Sequence, residues 1–324
     1  MRVGVIDIGT NSTRLLIADV EDGAITELDR RSEVTRLGQG VDSSGRLAQE
    51  AMDRVFATLA AYRDALDAAD VPAGARVAVL TSATRDAANG ADFTSRVRDD
   101  YGLDARAIAG EEEARLTFRG ATHGRDPDDA TPLLVFDIGG GSTELIVGAA
   151  RSDTAGGIQF HVSLQAGVVR QTERHLHRDP PPPHELQQLA DDVRATIEEG
   201  VPEAVRMSAR NAVGVAGTAT SLAAIDQELD PYDPRRVHGY VLESAEVELL
   251  LARLAQMPLS QRRDVRGLHP DRAPTIVAGA AIMLEVLRAF DLSRAEVSEH
   301  DLLHGVALER AAQSIRTTGP NGSH

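Results

Sequence analysis

Two short stretches of the chain carry residue types suited to phosphate chemistry. Residues 7–17 read DIGTNSTRLLI and residues 137–147 read DIGGGSTELIV, sharing the Asp, Ile, Gly, Ser, Thr and first Leu in register. Each begins at the end of an apolar run and leads into another, the pattern of strand, small-residue turn, strand. A turn of this kind aims successive backbone N–H groups in one direction, which binds phosphate oxygens without a basic side chain. Gly9 and Gly139, Gly140 and Gly141 permit close approach, and Thr10, Asn11, Ser12, Thr13, Ser142 and Thr143 add hydroxyl or amide groups. Asp7 or Asp137 alone would repel phosphate, but either makes chemical sense as a holder of Mg²⁺ or another divalent cation. Glu144, across the second turn, can reach the same ion. Two matched copies point to one ligand held between two related domains.

Two further stretches could act on such a ligand. Arg85 closes TSATR at 81–85, after a short apolar strand, and a guanidinium there can grip phosphate through two parallel bonds. Glu111, Glu112 and Glu113 open a helix after Gly110. Three acids at a helix N-terminus stabilise the helix dipole whatever else they do.

The elements that must position these residues follow from periodicity. Strands are expected at 2–8, 14–20 and 24–34, an antiparallel meander turning at Glu21-Asp22-Gly23. Apolar residues at helical spacing predict a helix over 47–66, then a strand at 76–80, a helix at 86–100, a strand at 105–108 and a helix at 110–119. The polar stretch 123–131 marks a junction. The second half restarts as strand, glycine turn, strand, with a further strand at 158–164. The proline run ending at Pro183 reads as a rigid spacer before a helix over 184–209. A strand at 211–216 leads into a loop at Gly217 and Thr218 and a helix to 228. Helices at 243–255 and 272–290, a strand at 295–298 and a closing helix from 300 complete the chain. The alternation of strands and helices defines an α/β fold.

Composition excludes several classes of function. All 34 basic residues are Arg, so a Walker-type P-loop and Schiff-base chemistry are absent. The absence of Cys removes thiol catalysis and thiolate metal sites. A net charge of −16 with 3% aromatic residues and no Trp argues against nucleic-acid binding. No apolar run has the length of a membrane span, and the chain enters a strand without a leader peptide. These features fit a cytoplasmic location. The clusters Arg262-Arg263-Arg266 and Arg235-Arg236 read as facing solvent, and the histidines at 175, 177 and 184 as exposed, without metal-ligand spacing.

Six separated motifs, DIGTNSTRLLI at 7–17, TSATRDA at 81–87, GEEEARL at 110–116, DIGGGSTEL at 137–145, AGTATSLAA at 216–224 and RAPTIVAGA at 272–280, together resemble the exopolyphosphatase/guanosine pentaphosphatase (Ppx/GppA) family, over nearly the whole chain. That family belongs to the actin–sugar kinase–Hsp70 superfamily. The resemblance implies two duplicated actin-like ATPase (ribonuclease H-like) domains around an interdomain cleft, here 1–124 and 125–300, with a C-terminal helix at about 301–316 packing back on the first. It implies Mg²⁺-dependent hydrolysis of the terminal phosphoanhydride of inorganic polyphosphate, or of guanosine pentaphosphate (pppGpp) to ppGpp, and a homodimer.

By the same resemblance Glu113 is the general base, Arg85 a transition-state cation, and Asp137 and Glu144 the metal-associated acids. Asn11, Ser12 and Thr13 match the first phosphate loop, Gly139, Gly140, Gly141, Ser142 and Thr143 the second, and Gly217 and Thr218 a loop on the nucleotide side. The chain departs from the family at 298–305, SEHDLLHG, where members often have Arg and Glu at the positions of Leu303 and His304. An ATP-dependent small-molecule kinase and a non-enzymatic filament or chaperone module share the superfamily fold, and GEEEARL speaks against both.

Overall fold

The computed structural model describes residues 1–150 and 157–318. The chain divides into two compact units, Met1–Gly120 joined by the C-terminal helix Leu302–Thr318, and Ala121–Asp301.

In the first unit, β1 (Arg2–Ile8), β2 (Ser12–Glu21), β3 (Ala24–Val34), β4 (Arg76–Leu80) and β5 (Asp104–Ala107) form one sheet in the order β3-β2-β1-β4-β5. The β1–β2 and β2–β3 pairs are antiparallel; the β1–β4 and β4–β5 pairs are parallel. Central strands buried on both faces read as continuous apolar runs, as β1 and β4 do. The edge strand β3 is exposed and charged, a composition that discourages edge-to-edge pairing. The helix Gln49–Ala68 buries Ala51, Val55, Phe56, Leu59, Tyr62, Ala65 and Leu66, one stripe at helical spacing. The C-terminal helix adds Leu302, Leu303, Val306, Ala307, Leu308 and Ala311 to the same core.

The second unit repeats the plan. β6 (Leu133–Ile138), β7 (Thr143–Gly148), β8 (Ile158–Leu164), β9 (Asn211–Val215), β10 (Val241–Glu243) and β11 (Arg294–Ser298) order as β10-β11-β9-β6-β7-β8. The run β8-β7-β6-β9-β11 matches β3-β2-β1-β4-β5 strand for strand in direction. The duplicated glycine turns therefore join equivalent strand pairs. Its core helix, Ile276–Ala289, is apolar nearly all round, as a helix enclosed on every side must be. The one acid in it, Glu285, is 1% exposed and held by Arg194 and Arg288 at 2.9 and 2.8 Å.

Several local expectations change. The helix expected over 184–209 runs Pro183–Gly200 and is followed by a separate turn, Glu203–Arg206, because Pro202 cannot donate to the helix ladder. The helix expected over 86–100 is two, Ser82–Asp86 and Gly90–Tyr101. The 272 start moves to Ile276, after a tight turn at Pro270–Arg272. Arg262 does not face solvent: it is 5% exposed, its guanidinium bonds Asp179 at 2.9 Å, and burial pushes its pKa down. His175 is likewise engaged, 3.2 Å from Asp192. No helix among the described residues is long and apolar enough to cross a membrane.

Candidate active site

The first turn leaves β1 at Ile8. Gly9 N–H donates to the Ser12 carbonyl at 3.0 Å, closing the turn, while the Thr10 and Asn11 carbonyls accept from Gly38 and Arg36 N–H at 2.8 and 2.9 Å. With the carbonyls drawn back onto residues 36–38, the amides of Thr10 and Asn11 have no acceptor among the described residues. The segment that holds them is itself tied down, since Arg54 donates to the Thr35 carbonyl at 2.8 Å. Thr10 Oγ1 meets Ser82 Oγ at 2.9 Å, joining this turn to the TSATRDA segment.

The second turn has the same construction with a different anchor. Gly139 N–H donates to the Ser142 carbonyl at 2.9 Å. Its carbonyls are held by the start of the helix Val168–His175: Val168 N–H to Gly139 at 2.8 Å, Val169 N–H to Gly140 at 2.8 Å, and Gly167 N–H to Gly141 at 3.2 Å. Arg170 Nε adds a bond to the Gly141 carbonyl at 2.9 Å. Each side supplies what the other lacks, because the first turn of a helix has N–H groups without internal partners. The amides of Gly140, Gly141 and Ser142 are again left without an acceptor among the described residues. The helix is fixed in turn through Asp192, which receives Gln171 and Arg174 at 3.0 Å each. Burial raises the Asp192 pKa, but the hydrogen bonds from Gln171, His175 and Arg174 outweigh it and hold it below the ordinary value.

The two acids diverge in their company. Asp7 stands opposite Arg14 across β1–β2, and Asp137 stands opposite Glu144 across β6–β7. Arg14 donates to Asp7 Oδ2 through Nε at 2.9 Å and Nη2 at 2.6 Å. Glu144 Oε1 instead accepts from the hydroxyls of Ser142 and Ser163 at 2.6 and 2.9 Å. Two carboxylates facing each other, with the Ser142 and Ser163 hydroxyls on Glu144, make an all-oxygen donor set that fits Mg²⁺.

The three glutamates of the helix Gly110–Ala121 differ in their surroundings. Glu111 is exposed, Glu112 is bonded to Arg106, and Glu113 is 8% exposed. Glu113 Oε2 accepts from Arg85 Nη1 at 3.2 Å, and the same nitrogen donates to the Ile108 carbonyl at 3.1 Å. Arg85 Nε lies 3.8 Å from Asp86 Oδ1, and Nη2 has no partner among the described residues, so Nη1 is held and Nη2 is the donor left available.

Not every expected phosphate ligand lies with these groups. Thr13 and Thr143 are the first residues to turn into the core: Thr13 Oγ1 bonds Thr35 Oγ1 at 3.0 Å, and Thr143 Oγ1 donates to the Ala166 carbonyl at 2.7 Å. Gly217 and Thr218 form no loop. They are the first turn of the helix Ala216–Asp226, entered through Ala216 at φ 59°. Thr218 Oγ1 donates to the Ile138 carbonyl at 2.8 Å, and a Cβ on Gly217 would fall on the Arg272 guanidinium. Sequence reasoning assigned no role to Arg170, Gly167 or Arg272. The glycine and the basic residue three positions on, Gly167-Val-Val-Arg170, were the available signal.

A duplicated α/β fold whose equivalent strand turns both present bare amides beside carboxylates defines a phosphate-handling protein of the two-domain actin-like type. The chain belongs to the Ppx/GppA phosphatase family, whose model matches residues 16–314. It is 38% identical over 323 residues to exopolyphosphatase 2 of Mycobacterium tuberculosis, covering 96% of this chain and 98% of that one. It is 27% identical over 306 residues to the guanosine-5'-triphosphate,3'-diphosphate pyrophosphatase of Photobacterium profundum, covering 94% of this chain and 58% of that one. The crystal structure of the Aquifex aeolicus family member superposes with a TM-score of 0.80 at 30% identity, covering 100% of this chain and 99% of that one.

Proposed function

We propose that the chain is an exopolyphosphatase that hydrolyses the terminal phosphoanhydride of inorganic polyphosphate and releases orthophosphate. The observation that carries the reading is the Glu113–Arg85 pair, a carboxylate withdrawn from solvent and bonded to a guanidinium whose Nη2 has no partner among the described residues. Glu113 takes a proton from water as the water oxygen bonds to the terminal phosphorus. The P–O bond to the rest of the chain breaks, and the electron pair stays on the departing oxygen. In the first unit Arg85 Nη2 and the amides of Thr10 and Asn11 are donors suited to phosphate oxygens, and in the second unit the amides of Gly140, Gly141 and Ser142 are; the charge on such oxygens must be balanced throughout the transfer. Asp137 and Glu144 are the residues that would hold Mg²⁺, which supplies further charge neutralisation when bound.

Support for this substrate comes from the exopolyphosphatase name of the mycobacterial relative. The pyrophosphatase name of the Photobacterium relative supports pppGpp as a second substrate of the same type. Phosphate release from long polyphosphate, tripolyphosphate, pppGpp and ATP, each with Mg²⁺, tests the assignment. Release from none of them would overturn it. Glu113→Gln is expected to lower kcat by about 10²–10⁴-fold with KM little changed, while Glu112→Gln stays near wild type. Equal losses in the two variants would remove Glu113 from the role of base.

A further inference from the structure

The two acceptors of Arg85 Nη1 lie on either side of one junction in the chain. The Ile108 carbonyl follows β5, and Glu113 stands in the first turn of the helix Gly110–Ala121. Their separation is set by the way the helix leaves the strand, so whatever holds the helix also holds the pair. Residues two apart fall on opposite faces of a helix. While Glu113 faces Arg85, Arg115 therefore points the other way, and its Nη2 donates to Glu309 Oε1 of the C-terminal helix at 2.5 Å. The other oxygen of Glu309 lies 3.7 Å from Nη2 of Arg106, on the strand side of the junction. One carboxylate, 16% exposed, thus spans the junction with an oxygen toward each side. Arg106 Nη1 also bonds Glu112, but loss of Glu112 would leave the Glu309–Arg115 bond in place. The two helices touch directly as well: a Cβ on Gly305 would lie 1.9 Å from the Leu116 oxygen and 2.6 Å from its carbon. The neighbouring Arg310 secures the same C-terminal helix elsewhere, donating to the Gly74 carbonyl and to Asp104 at 3.1 Å each. Asp104 is the first residue of β5, so that contact does not reach the junction.

We propose that Glu309 is a positioning residue for the hydrolysis. By joining Arg106 to Arg115 it fixes the angle at which the Glu113 helix leaves β5, and so the distance at which Glu113 meets Arg85. The base is aligned by a side chain 194 residues beyond Arg115, which touches neither substrate nor Glu113 itself. The inference rests on Glu113 being the base, and one of its two readouts does not depend on turnover.

Glu309→Ala, Glu309→Gln and Arg310→Gln are compared in the full chain. Glu309→Ala is expected to lower kcat for polyphosphate at least about tenfold, as small misplacements of a reacting group do, with KM within about twofold. Arg310→Gln, which loosens the same helix away from the junction, keeps kcat within about twofold. Glu309→Gln falls between them, because its amide oxygen can still accept from Arg115. In a Glu113→Gln background Glu309→Ala costs less than about twofold more, since the group it positions is gone. Amide hydrogen exchange followed by mass spectrometry gives the second readout. Residues 113–118 are expected to lose protection at least about tenfold in Glu309→Ala and to keep it in Arg310→Gln. Equal kcat losses in Glu309→Ala and Arg310→Gln overturn the proposal, as does a loss additive with that of Glu113→Gln, or unchanged exchange over 113–118. If Glu309→Ala does not fold, Glu309→Gln and Arg115→Gln carry the same comparisons. A Glu113→Gln protein at the wild-type rate, with protection over 113–118 lost in Glu309→Ala, would refute the base assignment while upholding the hold of Glu309 on the helix.

Discussion

Gly167→Ala isolates the packing that holds the second turn. Gly167 has φ −87° and ψ 163°, a conformation open to any residue, so alanine meets no backbone objection. The obstacle is space: a Cβ there would lie 2.4 Å from the Gly140 oxygen and the Gly141 carbon and 2.5 Å from the Gly140 carbon. All three are backbone atoms, and no rotamer change relieves the contact. The turn and the helix start must move apart. Overpacking of this kind costs about 1–3 kcal/mol. Losing two of the backbone bonds between residues 167–170 and 139–141 adds about 2 kcal/mol at roughly 1 kcal/mol each. A total of about 3–5 kcal/mol corresponds to a fall in Tm of roughly 6–20 °C for a unit of this size. The displaced turn also loses its amide alignment, so KM for polyphosphate should rise at least about tenfold. Thermal unfolding and steady-state phosphate release measure both effects, with Gly74→Ala as control, since nothing lies within 4 Å of a Cβ there. A Gly167→Ala protein with Tm within 2 °C, by the ~2–4 °C per kcal/mol scale, and an unchanged KM would refute the reasoning.

Further outcomes follow from other sites. Chelation should reduce phosphate release by roughly a hundredfold or more, with Mg²⁺ restoring wild type but not Asp137→Asn; a chelated enzyme at full rate would count against a metal at that pair. Glu285→Ala should destabilise the second unit by about 1–3 kcal/mol in chemical denaturation, less than the loss from an entirely buried pair because Arg194 and Arg288 can hydrate. Tyr240 donates to Asp226 at 2.5 Å, and that bond, then burial, pushes its pKa up to about 12. The stabilisation from the neutral phenol is therefore full below about pH 10 and lost as pH rises towards about 12. The phenolate absorbance step missing from Tyr240→Phe should lie near the upper value, and a step at the ordinary tyrosine position would refute the assignment.

The strand-turn-strand copies were legible because duplication repeats a local pattern, and Glu113 stood out from its neighbours through the family motif. What could not be read depends on contacts between distant segments. Thr13 and Thr143 look like turn residues in one dimension, but each begins a strand, and alternation sends it inward after an outward-facing or hydrogen-bonded Ser. Gly167 has no local reason to be glycine; its reason is the backbone of Gly140 and Gly141. The helix start at Gly217 was hidden because a β strand passes straight into it through a single left-handed residue, Ala216, which carries no glycine to announce the turn. Arg262 looked exposed because its neighbours in sequence are charged, whereas its partner, Asp179, lies in the proline-rich spacer.

The path of the chain through its two units bears on how the protein is made. Synthesis makes Met1–Gly120 before all of Ala121–Asp301, and only then the helix that supplies Leu302, Leu303, Val306 and Leu308 to the first core. At 5–20 residues per second the wait is on the order of ten to forty seconds. For that interval the nascent first sheet has its β1–β2 face uncovered where the helix will lie, and the Leu116 backbone lacks Gly305, which packs so closely that a Cβ would sit 1.9 Å from the Leu116 oxygen. The earlier-made half is thus the later to be completed, and a ribosome stalled before the helix Leu302–Thr318 is made would hold a complete second unit attached to an unfinished first.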